Sequence, residues 1–207
     1  MDDNLIKAGT ENFSLPHDVV KFPTGGKFYK NKKKSIKVGY LTASDENMLL
    51  NALENNASEL TYQLLRSKIY EPDVRPEDLL NEDIESILLF LRNTSFGPEY
   101  IFKLKDPATS KMFEQTVTLD ELDINKPDVE PTEEGCFVVK LPKSDVTVKL
   151  KPLTFGENRE LESQKKKYPL GRVAPVVNWR LEKQIVELNG NTDKGEISKF
   201  ISGMPIF

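Results

Sequence analysis

The only histidine, His17, sits in a polar stretch beside Pro16, with no cysteine or acidic residue at ligand spacing. General-base chemistry needs a second group to position the imidazole, and none is present in the local sequence. The one cysteine, Cys136, lies between Gly135 and Phe137 at the start of a predicted strand. No neighbouring feature would activate it, so it reads as a core thiol rather than a nucleophile. Asp120, Glu121 and Asp123 offer carboxylates but lack the alternating oxygen spacing and central glycine of a calcium loop. Gly25-Gly26-Lys27 lacks both the glycine four residues upstream and the Ser/Thr after the lysine that a phosphate loop requires. Lys30, Lys32, Lys33 and Lys34 follow Phe28 and Tyr29, an aromatic-plus-lysine pattern that nucleic-acid binders use. In an acidic chain the better reading of such a run is a solvated turn, or a docking surface for an acidic partner. Lys165-Lys166-Lys167 closes a predicted helix, where cations complement the dipole. With no nucleophile, metal cluster or acid–base pair in evidence, the chain reads as non-enzymatic and free of cofactors.

Composition bounds the class. The 207 residues are 38% hydrophobic and 30% charged, with net charge −4. That is the balance of a folded protein with a real core and no global attraction to phosphate backbones. A single cysteine excludes an internal disulfide and suggests a reducing compartment. No apolar run approaches the ~20 residues that span a bilayer. Met1-Asp2-Asp3-Asn4 lacks the basic-then-apolar order of a signal peptide. The expectation is a soluble, cytoplasmically made protein.

The elements that must position these residues include one phrase used twice. Ser35-Ile36-Lys37-Val38-Gly39-Tyr40-Leu41-Thr42 leads to Asp45 and Leu49, and Thr147-Val148-Lys149-Leu150-Lys151-Pro152-Leu153-Thr154 leads to Glu157 and Leu161. Alternating apolar residues make a half-buried strand, and the threonine then caps a helix with an acidic residue three positions on, as in a capping box. The predicted architecture is α+β, with two related halves, each a small antiparallel β unit followed by helices. Residues 1–15 form an arm, 16–124 the first half, 125–135 an acidic, proline-containing linker, and 136–207 the second half.

Within the first half, Val19 to Tyr29 reads as extended segments about a glycine turn. Helical spacing covers Ser44 to Tyr70, with a break at Asn55-Asn56, and resumes at Asn81. A hairpin pairs Tyr100–Leu104 with Glu114–Leu119 around a nine-residue loop. Leu119 to Ile124 is a helical turn. In the second half, strands Phe137–Leu141 and Val146–Leu150 precede a helix from about Gly156 to Lys167. An amphipathic helix carries Val177, Leu181, Ile185 and Leu188 and stops at Asn189-Gly190. A short helix then covers Thr192 to Ile201, and the chain ends in an apolar tail.

Phe96, Tyr100, Trp179, Phe200, Ile206 and Phe207 are large apolar groups without an evident place in one core. Aromatic side chains are enriched at interfaces, and apolar anchors dominate binding energy once buried. Phe28, Tyr29, Trp179, Ile206 and Phe207, each near a loop or terminus, are the predicted partner-binding residues.

Four phrases carry a resemblance over essentially the whole chain: Phe22-Pro23-Thr24-Gly25-Gly26-Lys27-Phe28-Tyr29, Leu41-Thr42-Ala43-Ser44-Asp45-Glu46, Phe96-Gly97-Pro98-Glu99-Tyr100, and Leu153-Thr154 with its following helix. In order and spacing they resemble the baseplate hub protein family of T-even-type contractile-tailed phages, the product of gene twenty-six. The resemblance implies a non-catalytic protein of hub assembly, made late in infection in the host cytoplasm and destined for the virion tail baseplate. Its implied partners are other baseplate hub or tail proteins, with the tape-measure region a candidate, in several copies per assembly and with no membrane span. One alternative is a transient tail-assembly chaperone absent from the mature particle. Another is a nucleic-acid-binding factor using Lys30–Lys34. Related phage proteins carry a Cys pair in the hairpin loop; here Lys105 to Phe113 has none, so no thiolate zinc site is expected. Ile101, Leu104, Val117 and Leu119 are the residues expected to hold the hairpin by apolar pairing.

Overall fold

The computed structural model describes residues 16–50, 57–122 and 129–204. It is mixed α+β, as expected, with short helices and three small antiparallel sheets among the described residues. The expected N-terminal arm, the Asn55-Asn56 break, part of the linker and the tail residues Ile206 and Phe207 lie outside those ranges.

Strand β1 (His17–Lys21) pairs antiparallel with β2 (Ser35–Gly39), with Val20 opposite Ile36. Alternation puts Val20, Ile36 and Val38 on the inner face, where they meet Leu64 and Leu65 of helix α2 (Ala57–Lys68) and Ile84, Ile87 and Leu91 of α3 (Asn81–Phe96). This is the larger apolar cluster. The smaller one joins Val148 of β6 (Thr147–Leu150), Ile185 of β7 (Ile185–Leu188) and Ile197 and Ile201 of α6 (Lys194–Gly203). There β6 is central, flanked by β5 (Phe137–Lys140) and β7.

The repeated phrase is built as a repeated device. In the first half Thr42 precedes α1 (Ala43–Leu50): its backbone N–H donates to Asp45 Oδ2 at 2.7 Å and the Asp45 N–H donates back to Thr42 Oγ1 at 3.4 Å. In the second, Thr154 caps α4 (Phe155–Lys166) with the same reciprocal pair through Glu157, at 3.0 and 3.2 Å. Each box satisfies two otherwise orphaned amides at a helix start. The two acids then find different cations. Asp45 pairs with Lys68 at the end of α2, both side chains buried, whereas Glu157 pairs with Lys151, the residue directly after β6, nearer the surface.

Helix α4 also ties the clusters together. The Phe155 N–H donates to the Leu79 carbonyl at 2.7 Å, Leu80 and Thr154 form a lone antiparallel bridge, and the Phe155 ring packs on the larger cluster. Arg159 pairs with Glu59 and lies 4.3 Å over the ring of Tyr62.

Four expectations change. Residues 22–34 form a succession of turns rather than a second extended segment, because β1 takes β2 as its partner. The hairpin strands run longer, β3 (Glu99–Lys105) and β4 (Met112–Thr118), so only residues 106–111 form the loop. Period-two geometry places Leu104 and Val117 on one face and Ile101 on the other, so they do not pair as one cluster. The amphipathic helix is the largest correction. α5 (Val176–Gln184) ends before Ile185, and Ile185 to Leu188 form β7. The open edge of β6 offers hydrogen bonds that a lone helix turn lacks: the Lys151 N–H donates to the Gln184 carbonyl and the Asn189 N–H to the Thr147 carbonyl. Asn189 (φ 47°) and Gly190 (φ 84°) then make a tight hairpin turn from Leu188 to Asn191, not a helix cap.

Removing one partner of a buried ion pair leaves the other charge uncompensated. Lys68→Ala is expected to lower the unfolding free energy by roughly 3 kcal/mol. The double replacement Asp45→Asn/Lys68→Met should cost less than Lys68→Ala alone. Urea unfolding curves of the three proteins check the order.

Candidate functional site

Polar groups converge at the connection between β1 and β2. Asp83, in the first turn of α3, has no solvent exposure. The Thr24 hydroxyl donates to its Oδ2 at 2.7 Å, the Thr24 N–H donates to Oδ1 at 3.2 Å, and the Tyr29 hydroxyl donates to Oδ2. Tyr29 Oη in turn accepts from the Leu80 N–H at 3.0 Å, so one phenol satisfies both a buried carboxylate and a helix-start amide. Burial outweighs the three donors and holds the Asp83 carboxyl above the usual range, and burial with the adjacent carboxylate also pushes the Tyr29 phenol up. Gly26 allows the turn to close. Its φ is +75°, and a Cβ there would stand 2.4 Å from the Lys33 carbonyl oxygen.

This network has the makings of an acid–base pair but no free valence. Every polar atom named faces another protein atom, and the site acts as a clamp that folds the Phe22–Tyr29 phrase onto α3. The lysine run is used in the same way. The Lys33 ammonium sits between Glu71 (2.8 Å) and Asp73 (3.0 Å), and the Lys32 ammonium donates to the carbonyls of Glu133 (2.8 Å) and Lys27 (3.2 Å). Lys27 pairs with Glu130. Lys30 and Lys34 remain exposed. The bond to Lys33 holds Glu71 below the ordinary carboxylate range.

The predicted partner-binding residues fall in three places. Tyr29 is inside the clamp, tilted against Phe22 at 5.6 Å, and Phe28 lies 5.6 Å from Phe137, linking this turn to the start of β5. Trp179, half-buried on α5, meets the edge of Tyr168 at 5.6 Å. Ile206 and Phe207 are beyond the described residues. Cys136 is buried at the strand start, and His17 stands edge-on to Tyr70.

Exposed apolar surface concentrates on the β3–β4 hairpin. Cross-strand neighbours Tyr100/Val117, Phe102/Gln115 and Leu104/Phe113 share one face, and Tyr100, Leu104 and Phe113 are exposed there. Ile101 and Met112, about 60% exposed, are on the other face. The strands pack chiefly on each other. An isolated two-stranded ribbon is marginal in water, and here its root is held from α3. The Arg92 guanidinium donates to the Gly97 and Glu99 carbonyls and lies 5.5 Å from the Tyr100 ring, while Asn93 Nδ2 donates to Asp120 Oδ1 at 2.6 Å.

Asp83 is not among the residues singled out from the sequence, where it stands with Glu82 and Glu85 as one of three acids near a helix start. Nothing local separates the three; the donors come from 54 and 59 positions away. The hairpin face was signalled by the alternation of Tyr100, Phe102 and Leu104.

The polar groups of the clamp are tied to one another, and apolar side chains are left at the surface of the hairpin. The family model described as T4 bacteriophage base plate protein matches residues 21–205, and the chain belongs to that family. It is a baseplate protein of the T4 type, in agreement with the resemblance read from the four phrases. No curated protein and no solved structure matches the chain. Among the described residues, no helix is long and apolar enough to cross a membrane.

Because the folded Asp83 carboxyl holds its proton more tightly than an unfolded one, folding takes up a proton in this window. Its contribution to stability is full below the unfolded carboxylate range and declines as pH rises through the folded value. Asp83→Asn should therefore gain on the parent protein as pH is raised from ~4 to ~7. Asp83→Ala, which strands the Thr24 N–H and the Tyr29 hydroxyl, should cost about 2–4 kcal/mol at pH ~4 and less at pH ~7, by the same linkage. Equilibrium unfolding at the two pH values reads both effects.

Proposed function

We propose that this chain is a non-catalytic component of the baseplate hub, corresponding to the product of gene twenty-six, and that it takes part in hub assembly by binding neighbouring tail proteins. The observation that carries this reading is the apolar face of the β3–β4 hairpin, where Tyr100, Leu104 and Phe113 stand in water on a rigidly rooted ribbon. A contiguous apolar patch of this kind marks an interaction site on a soluble chain. Family membership supplies the setting, and the partners are other hub or tail proteins, the tape-measure region among them. The clamp chemistry supports a structural role, since the most perturbed ionisable groups are turned inward and satisfied.

The anchors proposed from sequence take different parts in this reading. Trp179 borders a second exposed surface, and Ile206 and Phe207 remain proposed contacts at the chain end. Phe28 and Tyr29 act indirectly, by holding the turn that carries the lysine run. That run favours a protein partner over nucleic acid, because Lys32 and Lys33 already serve the chain's own acceptors. Synthesis in the host cytoplasm and several copies per baseplate belong to the same proposal.

Tyr100→Ser/Leu104→Ser/Phe113→Ser removes the apolar face at positions that support no core. Thermal unfolding should shift by only a few degrees. The variant chain should fail to co-sediment with baseplates from infected cells complemented with it. Incorporation at the parental stoichiometry would remove the hairpin as the contact. Parental protein found in hub precursors but absent from finished tails would replace the structural role with that of a chaperone.

A further inference from the structure

We propose that the loop Tyr168–Pro175, with the end of α4 and the first turns of α5, is a docking site for an acidic protein segment carrying aliphatic side chains. This rests on the reading of the chain as a binder of neighbouring tail proteins, and it adds the chemistry of one partner segment.

Two observations coincide here. Leu170 is fully exposed, Val173 is 94% exposed and Val177 is 70% exposed, three aliphatic groups within one short stretch. Around them stand Lys165 and Lys167 at the end of α4, Arg172 in the loop, and Arg180 one turn beyond Val177 on α5. None of these four cations has a carboxylate partner among the described residues. Several other lysines of the second half are paired: Lys149 with Glu134, Lys151 with Glu157, Lys183 with Glu160 and Lys199 with Glu196. The end of a helix dipole offsets only about half a charge, so the patch stays strongly positive on a chain whose net charge is −4.

The surface is preformed. The Arg172 N–H donates to the Pro169 carbonyl at 3.3 Å, closing a turn with Leu170 at its tip, and the Tyr168 N–H donates to the Lys165 carbonyl at 3.1 Å. The Tyr168 ring leans edge-on against Trp179, which fixes the loop to α5. A cleft of about 530 Å³ opens beside Tyr168, Leu170 and Val173. Charge complementarity selects an acidic occupant, and the exposed aliphatics select one with apolar side chains between its acids. Nucleic acid would leave the aliphatic groups facing phosphate and water. An anionic bilayer would repel the rest of this acidic chain.

Trp179 is the only tryptophan, so its emission reports on the site. The probe is a synthetic peptide alternating Glu and Leu, with Ser-Gly spacers, titrated into the full chain. Saturable change in Trp179 emission is expected, weakening as salt shortens the Debye length from ~30 Å to ~8 Å. Lys165→Glu/Lys167→Glu/Arg172→Glu should weaken binding at least about tenfold, as three screened ion pairs are lost and reversed. Leu170→Ser/Val173→Ser, at positions that support no core, should weaken it as well. A peptide with Lys in place of Glu should not bind. The proposal is overturned by absence of binding, by affinity unchanged in either variant, or by preferential binding of phosphatidylglycerol vesicles or duplex DNA at equal anionic charge. The hairpin triple-serine variant should bind the peptide like the parent. Loss of peptide binding alongside intact, hairpin-dependent incorporation into baseplates therefore removes this site alone.

Discussion

A carboxylate sealed from water organises the first half of this protein. Asp83 can remain in the interior only because Thr24 and Tyr29 bring it three hydrogen bonds, and those donors come from a turn far away in sequence. The cost of leaving a buried acceptor unmatched is steep, so the turn and the start of α3 are positioned together or not at all. Once they are, Tyr29 meets the Leu80 amide, Phe28 meets Phe137, and Lys32 reaches the Glu133 carbonyl. The carbonyl of Leu79, the residue before Leu80, accepts from the Phe155 N–H. One satisfied acid thereby aligns the β1–β2 connection, α3, the approach to β5 and the entry to α4.

The repeated strand–cap–helix device shows how one local solution serves two packing problems. Both threonine boxes close a helix start in the same manner. Asp45 then joins α1 to α2 through a buried lysine, and burial's upward push on its pKa is more than offset by Lys68 and Thr42. Glu157 stays near the surface with Lys151, leaving Phe155 and Arg159 free to engage the first half. The capping chemistry is common to both; the neighbours decide what it fastens.

With its polar groups committed inward, the chain meets its surroundings through shape, apolar area and local charge. The β3–β4 hairpin and the Tyr168–Pro175 loop are two places where large apolar side chains are held outward by anchored backbone. Such preorganised surfaces lose little entropy on association. That economy suits the proposed role of this baseplate protein as a binder of its neighbours.

Much of this was legible in the chain itself, because the relevant physics is local. Alternation identified β2, β5, β6 and the hairpin; the threonine–acid spacing identified both caps; and three-and-four spacing identified α2 and α3. The errors arose where local preference was balanced. Ile185 to Leu188 suits a helix face or a strand equally well, and the open edge of β6 decided between them. Asn189-Gly190 serves a helix end or a hairpin turn, and strand pairing chose the latter. Glu82, Asp83 and Glu85 look alike as helix-start acids, yet only the arrival of Thr24 and Tyr29 singles out Asp83. The sequence by itself determined the α+β class, the duplicated capped units and the period-two alternation of the hairpin, since each depends on residues a few positions apart. Which acid is buried, which strand edge is filled and which apolar groups stay in water were decided by tertiary structure alone, because those outcomes depend on partners brought together from distant parts of the chain.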